Sequence, residues 1–351
     1  MIRFIELVIS VLITIVVFVV IALFLPSHAR VERDVELGAP ISQVYDSLNH
    51  FKRFNAWNPF YALDPRAKYE LEGSEYGVGA KINWNSVLEK QVGQGSLEIV
   101  ESVPEDQIVM KLDNNWRGNE KTYTFKMEQN PQTNAVNLKW AMDVDYGWNL
   151  FGRYAGLYLN GRVGELMNEG LGRFSSMIAA VPNYDYSQVE IQQRVVPAVD
   201  VLYVGIGVPA APVKWAEAEQ MMETAWTEVE NFAKRNNLTV LGPRRRIVNV
   251  LGEENHDFNL AIPVAPHTVA PAGNVKVGHG YGGRALMIQY RGHRVGLSKA
   301  RDMLKAYALT HGNVFDRDLT GMWEEWLPDE PVPEGAPFAP DPLTDAYLPI
   351  R

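Results

Sequence analysis

The chain contains no cysteine, and this absence removes several classes of protein from consideration. Disulfide frameworks, zinc ribbons and thiol nucleophiles all require cysteine, so each is excluded. The seven histidines are scattered along the chain, without an H-E-x-x-H motif or a pair spaced four residues apart. Metal binding through histidine therefore has little support, and the sequence indicates neither a metal nor a cofactor.

Positive charge is also scarce. The 351 residues include 33 Lys and Arg against 42 Asp and Glu, which gives a net charge of −9. Nucleic-acid binding needs a basic surface, so no nucleic-acid partner is expected. The one dense basic run is Arg244-Arg245-Arg246 at the start of a predicted strand. Such a run is expected to be a solvated strand edge.

Long apolar runs are missing except at the start, where Leu7–Leu25 contains only apolar and small hydroxyl residues. A helix of about 20 residues spans the hydrocarbon core of a bilayer. The run exceeds the apolar core of a signal peptide, although Ser27-His28-Ala29 fits the pattern of a cleavage site. We expect residues 1–30 to be an uncleaved single-pass anchor, in a bacterial inner membrane. The flanking charges nearly cancel, so the side of the soluble part is not encoded.

The spacing of apolar residues changes once within residues 31–182, from a period of two to a period of three and four. A first strand near Val31–Leu37 and a short helix over 41–49 come before stretches that alternate with a period of two, which is typical of antiparallel strands. These stretches are 80–87, 93–103, 107–114, 121–129 and 135–145. A stripe spaced by three and four residues then predicts one long helix, formed by Val163, Leu166, Met167, Leu171, Phe174, Met177, Ile178 and Val181. This order predicts an α+β fold, an antiparallel sheet with one long C-terminal helix across it.

Three pieces of this segment resemble the START-like superfamily, also called the polyketide cyclase and dehydrase group or SRPBCC. They are VERDVELGAPISQVYDSLNHFKRFNAWNPF, GVGAKINWNS and GLGRFSSM. The resemblance implies a helix-grip domain around an apolar cavity. Tryptophans at strand positions are expected to be core residues first, and some would reach the cavity wall: Trp57, Trp84, Trp116, Trp140 and Trp148. No catalytic residue is assigned here.

Residues 187–351 read as two copies of one unit. Each copy runs strand, helix, strand, strand, and the copies close on Ile262-Pro263-Val264 and Leu348-Pro349-Ile350. Such a duplication predicts two packed halves with a cleft between them. The segment resembles the GyrI-like small-molecule-binding domain, the effector-binding half of multidrug-sensing regulators, through DFNLAIPV, GYGGRALMIQYRG, WEEWL and DAYLPI.

The resemblance places a family glutamate at Glu324, facing the cleft, and puts Trp326 where the family usually has tyrosine. Strand alternation sets Met322, Glu324 and Trp326 on one face. A carboxylate beside an indole would pair and stack with a cationic aromatic ligand, and a desolvated carboxylate could instead act as a general base. Tyr347 and Tyr281 are weaker candidates for the cleft wall. The plain alternative is an exposed strand with solvated glutamates.

Two further patterns have simpler readings. Gly278–Gly283 matches G-x-G-x-x-G, but a strand follows instead of the helix that a dinucleotide site needs. The glycines are expected to serve a tight turn or bulge. Residues 328–342 are rich in proline, and we expect a long exposed loop, with a lid over the cleft as the alternative.

The sequence therefore predicts a membrane-anchored protein that captures or senses a hydrophobic, aromatic or cationic small molecule. Its expected partners are that ligand and the membrane through residues 7–25, and no protein partner is indicated. Two other functions stay open: a hydrolase of reactive small molecules that uses the cleft glutamate, and an accessory subunit of a membrane complex.

Overall fold

The structure is a computed structural model that describes residues 2–89, 92–210, 215–328 and 341–351. Most of the proline-rich segment, residues 329–340, lies outside the described ranges. The fold is α+β, with an apolar N-terminal helix and two antiparallel sheets. Contacts divide the chain into two compact units, Met1–Asn183 and Tyr184–Arg351.

Helix α1, Ile2–Phe24, begins the first unit. Its apolar side chains are nearly all exposed, and Arg3–Phe24 is long and apolar enough to cross a membrane. The predicted apolar span is therefore a single unbroken helix.

The first sheet has seven strands. They are β1 His28–Leu37, β2 Lys68–Gly73, β3 Ala80–Asn85, β4 Gln94–Val103, β5 Gln107–Asn114, β6 Glu120–Gln129 and β7 Val136–Asp145. The order is β1-β7-β6-β5-β4-β3-β2, so neighbours in sequence are neighbours in space except where β1 joins β7. This meander follows from the short turns between strands, which favour antiparallel pairing.

The helices of the first unit cover one face of the sheet. They are α2 Ile41–Leu48, α3 Phe54–Trp57, α4 Pro59–Leu63, α5 Leu150–Gly156 and α6 Leu159–Ala179. The predicted stripe is buried except at Leu166, which is half-buried, and its last member, Val181, lies two residues beyond the end of α6. Sequence patterning missed β2 and α3–α5, because β2 is almost wholly exposed and the three helices are each shorter than two turns.

Aromatic rings fill the space between α6 and the sheet. Trp57 meets Phe125, Trp140 and Phe174 edge-on at centroid distances of 5.6–5.9 Å. Phe125 also stacks on Trp140 at 5.2 Å. Edge-to-face contacts of this kind add to the stabilisation from apolar burial. The expected core role holds for Trp57 and Trp140, whereas Trp148 is exposed.

The second unit has eight strands and two long helices. The strands are β8 Ile191–Val196, β9 Asp200–Pro209, β10 Arg244–Leu251, β11 Asn255–Val264, β12 Lys276–His279, β13 Gly283–Arg291, β14 Trp323–Trp326 and β15 Leu343–Pro349; the helices are α7 Trp215–Arg235 and α8 Leu297–Thr310. The order is β12-β9-β11-β10-β14-β15-β13-β8. Helix α7 packs on β9 and β11, and α8 packs on β13 and β15. The predicted duplication is confirmed, and the two halves meet at β10 and β14.

The first strand of each half is broken, and the two pieces go to opposite edges of the sheet. β8 pairs with β13 of the second half, and β12 pairs with β9 of the first. The glycine-rich segment turns the chain between β12 and β13. A Cβ at Gly282 would lie 2.7 Å from the backbone nitrogen of Ala198, so the turn needs glycine there.

Candidate ligand-binding site

The three consecutive arginines lie in the middle of the second sheet. Strand β10 pairs with β14 so that Arg245 is opposite Glu325 and Arg246 is opposite Glu324. Arg244 forms ion pairs of 2.7 Å with two glutamates of α7. The expectation of a solvated edge was therefore wrong. Successive arginines point to alternate faces and meet carboxylates on both.

Glu324 lies at the centre of a buried charge cluster. Its side chain has 0% exposure, and one carboxylate oxygen accepts from Arg246 Nε at 2.6 Å. The other oxygen accepts from Arg301 Nη1 of α8 at 3.2 Å. A buried carboxylate is costly unless it is paired in this way. Two guanidinium groups against one carboxylate leave the cluster with a surplus positive charge.

A neighbouring histidine responds to that surplus. Burial is the largest cause that lowers the pKa of His256, and the positive charges of Arg301 and Arg246 lower it further. The ring therefore stays neutral to lower pH than an ordinary histidine. The electrostatic environment around Glu324 is thus unfavourable to added positive charge.

Trp326 lies on the same face of β14 as Glu324. Its ring contacts Trp226 of α7 at a centroid distance of 4.4 Å, and the guanidinium carbon of Arg294 lies 4.1 Å from its centroid. Within the described part of the chain, neither indole N–H of this pair has an acceptor, and the buried hydroxyl of Thr344 also lacks a partner. Thr344 is directly opposite Trp326 in register. Three unsatisfied polar groups therefore share one face of the sheet.

A groove of about 520 Å³ reaches Trp326. Trp326, Leu327 and Ile262 supply apolar surface. The charged lining is mixed, with the cations Lys234, Arg244 and Arg294 and the carboxylates Glu219, Glu223 and Glu230. Glu324 does not line it and has no exposed surface. The groove is within the size range of small-molecule sites.

The other two predicted residues lie on the opposite face. Tyr347 stacks on Trp323 at 4.7 Å with an interplanar angle of 3°, and Tyr281 lies 6.0 Å from Trp323. Burial is the main cause that raises the pKa of Tyr347 to about 12. Tyr281 lines a separate pocket of about 570 Å³ and donates to the carbonyl oxygen of Arg284. The four predicted residues therefore form two pairs, on two faces, instead of one cleft wall.

Sequence reasoning missed Arg246, Arg301 and Trp226. A partial signal existed for Arg246: if the two strands are neighbours, two adjacent arginines can pair with the two adjacent glutamates on both faces. The run of three arginines allows two such registers, and the structure has the one that places Arg246 opposite Glu324. Arg301 and Trp226 carried no such signal, because helix positions opposite a strand depend on the tertiary packing. The cationic-ligand hypothesis used Glu324 as an available carboxylate, and that carboxylate already has two partners.

The cavities of the first unit include a small void and a large groove. The void is about 30 Å³, lined by Trp57, Trp84, Trp140 and other aromatic residues. It has room for about one or two water molecules, whereas ligand pockets are roughly 300–1,000 Å³. The groove is about 1,240 Å³ and lies between the start of α6 and the ends of β6 and β7. The groove, unlike the void, is therefore large enough for a small-molecule ligand.

Among the described residues, no group of three or more His, Asp or Glu side chains could hold a metal ion.

Comparison with known proteins gives structural likeness only. No protein-family model and no curated protein matches the chain. Similar solved structures include the EcmrR C-terminal domain, with 14% identity, a TM-score of 0.37 and coverage of 47% of this chain and 98% of that one. Truncated norcoclaurine synthase from Thalictrum flavum shows 11% identity, a TM-score of 0.35 and coverage of 44% and 94%.

A third similar structure is the di-domain ARO/CYC StfQ from the steffimycin biosynthetic pathway, with 12% identity, a TM-score of 0.35 and coverage of 43% and 51%. The similar structures thus include one GyrI-like domain and members of the cyclase and START-like kind. With TM-scores below 0.5, none of them tells what this chain binds or does.

Proposed function

We propose that the protein is held in a membrane by α1 and binds a small aromatic molecule that carries a hydrogen-bond acceptor or an anionic group. Residues 187–351 would form the main binding module. The observation that supports this most is the pair of buried indole N–H groups of Trp226 and Trp326, neither of which has an acceptor among the described residues. A ligand acceptor in the groove would satisfy a donor that folding leaves unpaired.

Charge supports the same ligand class. Arg294 lies at the Trp326 end of the groove, and the Glu324 cluster next to it has two guanidinium groups for one carboxylate. The rest of the lining is mixed in charge, because Arg244 is already paired with Glu223 and Glu230. Arg294 already lies over the Trp326 ring, where a cationic ligand would stack. A cation would have to displace this guanidinium from the ring, whereas an anion beside the ring would meet a charge of opposite sign. The proposed ligand is therefore aromatic, as the sequence predicts, but it carries an acceptor or a negative charge instead of a positive charge.

Residues 31–182 would form a second, hydrophobic binding module through the groove of about 1,240 Å³. Met142, Val144 and Val163 supply apolar wall, and Arg117 and Arg162 supply charge at the groove. This module would take a more apolar ligand than the second unit.

The contacts around Ser27–Ala29 favour an anchor that stays attached. Ala29 pairs with Val144 inside β1, and the carbonyl oxygen of Ser27 accepts from Tyr146 N at 2.7 Å. Cleavage after Ala29 would remove two residues from a paired strand.

A matched pair of probes tests the ligand class. We would measure the binding of naphthalene-2-sulfonate and of 2-naphthylmethylammonium to the full chain in lipid nanodiscs, by calorimetry with empty nanodiscs as reference. We expect the anion to bind at least tenfold more tightly, which is about 1.4 kcal/mol. Tighter binding of the cation would overturn the proposal.

Two variants of one strand locate the site. Trp326→Leu should abolish the preference for the anion, and Trp323→Leu on the opposite face should leave it unchanged. Equal loss in both variants would place the site elsewhere.

The nearly filled void of the first unit favours a second candidate, an accessory subunit of a membrane complex, in which that unit binds no ligand. Co-purification of a stoichiometric membrane protein, together with no binding of either probe, would support it. The hydrolase alternative loses its base, because both oxygens of Glu324 accept from guanidinium groups and water does not reach the side chain.

A further inference from the structure

Four large side chains are exposed on one short segment around α5. The exposed fraction is 83% for Trp148, 63% for Phe151, 57% for Leu157 and 70% for Tyr158. They follow each other within eleven residues, directly after the last strand of the first sheet. Clustered exposure of this kind marks an interaction surface.

The segment is tied to the end of α1. Arg153 Nη1 donates to the carbonyl oxygens of Ala22 and Leu23 at 3.3 Å and of Leu25 at 3.2 Å. The last carbonyls of a helix have no donor within the helix, and a cation there also complements the helix dipole. The same guanidinium donates to Gly147 O at 2.7 Å, so it joins the helix end to the segment.

Deeper contacts set the level of the segment along α1. The Tyr154 hydroxyl donates to Phe18 O at 3.0 Å, and the two rings stack at 4.3 Å. Phe151 lies 5.3 Å from the same Phe18 ring. Phe18 comes six residues before Phe24, the last residue of α1, which at about 1.5 Å per residue is about 9 Å along the helix axis.

We propose that residues 148–158 form a second membrane contact, embedded at the boundary between headgroups and acyl chains of the bilayer that α1 crosses. This inference rests on the proposed spanning role of α1. Interfacial helices insert about 5–10 Å into that boundary, which matches the level of Phe18. Tryptophan and tyrosine are the residues enriched there. Arg117, whose guanidinium lies 5.6 Å from the Phe151 ring, is placed to meet lipid phosphates.

The embedded segment also borders the large groove of the first unit. Ala155, Leu157 and Tyr158 belong both to the segment and to the groove lining. One rim of the groove would therefore face lipid. A hydrophobic ligand could pass from the bilayer into the groove without crossing water.

The lack of cysteine allows a direct test in the full chain. We would place a nitroxide at Trp148→Cys or Leu157→Cys, reconstitute each variant in nanodiscs of zwitterionic and anionic phospholipid, and measure collision rates with oxygen and with a water-soluble nickel chelate. Gln132→Cys is the aqueous control, in the turn before β7 and one ten-residue strand, roughly 30 Å, from the segment. Val11→Cys is the lipid control within α1.

The expected result is an oxygen-to-nickel ratio at 148 and 157 severalfold above that at 132 and below that at 11. An aqueous ratio at 148 and 157, with a lipid ratio at 11, would overturn the interfacial contact and leave the spanning role of α1 intact. An aqueous ratio at 11 would refute the span and the contact together. Labels at 148 and 157 shielded from both reagents would identify a second copy of the chain as the occupant and overturn the proposal.

Discussion

The interiors of the two units are built on different principles. In the first, tryptophan and phenylalanine rings meet edge-on between α6 and the sheet, and they leave a void of about 30 Å³. In the second, Arg246 and Glu324 pair at the centre of the sheet and Arg301 of α8 joins them, beside indole groups that have no acceptor among the described residues. The comparison teaches that a large aromatic content does not make a cavity. The groups that could bind a ligand lie instead in the second unit, where buried polar side chains are incompletely paired.

The largest expected effect comes from removing the central carboxylate. Glu324→Ala leaves Arg246 and Arg301 as buried charges without their partner, which should lower the free energy of unfolding of the second unit by about 3–5 kcal/mol. Hydrogen exchange resolved by peptide would measure the loss separately for each unit. Glu223→Ala, in the same unit and with a side chain 56% exposed, removes a surface partner of Arg244 and should cost about 1 kcal/mol or less. Similar losses in both variants would show that the buried cluster has no special role.

An apolar truncation in the first unit should have the next largest effect. Leu171 lies on the buried stripe of α6, and Leu171→Ala removes contacts and leaves a cavity, at a cost of about 3 kcal/mol. The loss should be independent of salt and confined to the first unit, as measured by the same exchange experiment. The exposed position Gly172→Ala is the control and should change stability by less than about 1 kcal/mol.

Replacing the whole charge cluster with apolar residues should separate its effect on stability from its effect on ligand binding. The triple variant Arg246→Met, Glu324→Leu, Arg301→Leu exchanges charges for apolar groups of similar size. Its stability should return to within about 1 kcal/mol of the parent, because no charge is left unpaired. Binding of naphthalene-2-sulfonate should nevertheless weaken. A stability loss as large as that of Glu324→Ala would mean that the cluster stabilises the fold through more than charge compensation.

The smallest effect is a change in pH dependence. The pKa of Tyr347 is raised to about 12, so the folded state keeps the phenol proton when the unfolded state, with a pKa of about 10, has lost it. The resulting stability is fully present below pH 10 and is lost as the pH rises towards 12. Urea titrations from pH 9 to 11.5 should give a shallower decline for Tyr347→Phe than for the parent. Parallel declines would refute the raised pKa.

The periodicity of apolar residues predicted the elements that depend on local sequence patterns. It missed the contacts that depend on how strands pair and how helices pack. The apolar helix, the long stripe on α6 and the duplicated halves each follow from apolar spacing in one segment. Strand β2 was missed because it is short and mostly exposed. Its residues KYELEG alternate only through Tyr69 and Leu71, and Leu71 is itself exposed. The burial of Arg246 follows from its being opposite Glu324, 78 residues away, which no local window contains. Trp148 was expected in the core because tryptophan usually lies there, and its position next to α1 depends on tertiary contacts.

The exchanged edge strands of the second unit have a consequence for its origin. Each half gives its first strand to the other half, so a single half would have an incomplete sheet and an unpaired edge. Such a half would complete itself by exchanging strands with an identical copy, which is how domain-swapped dimers form. The present unit has the architecture of such a dimer joined into one polypeptide, with Glu324 and Arg246 facing each other across the boundary between the two halves.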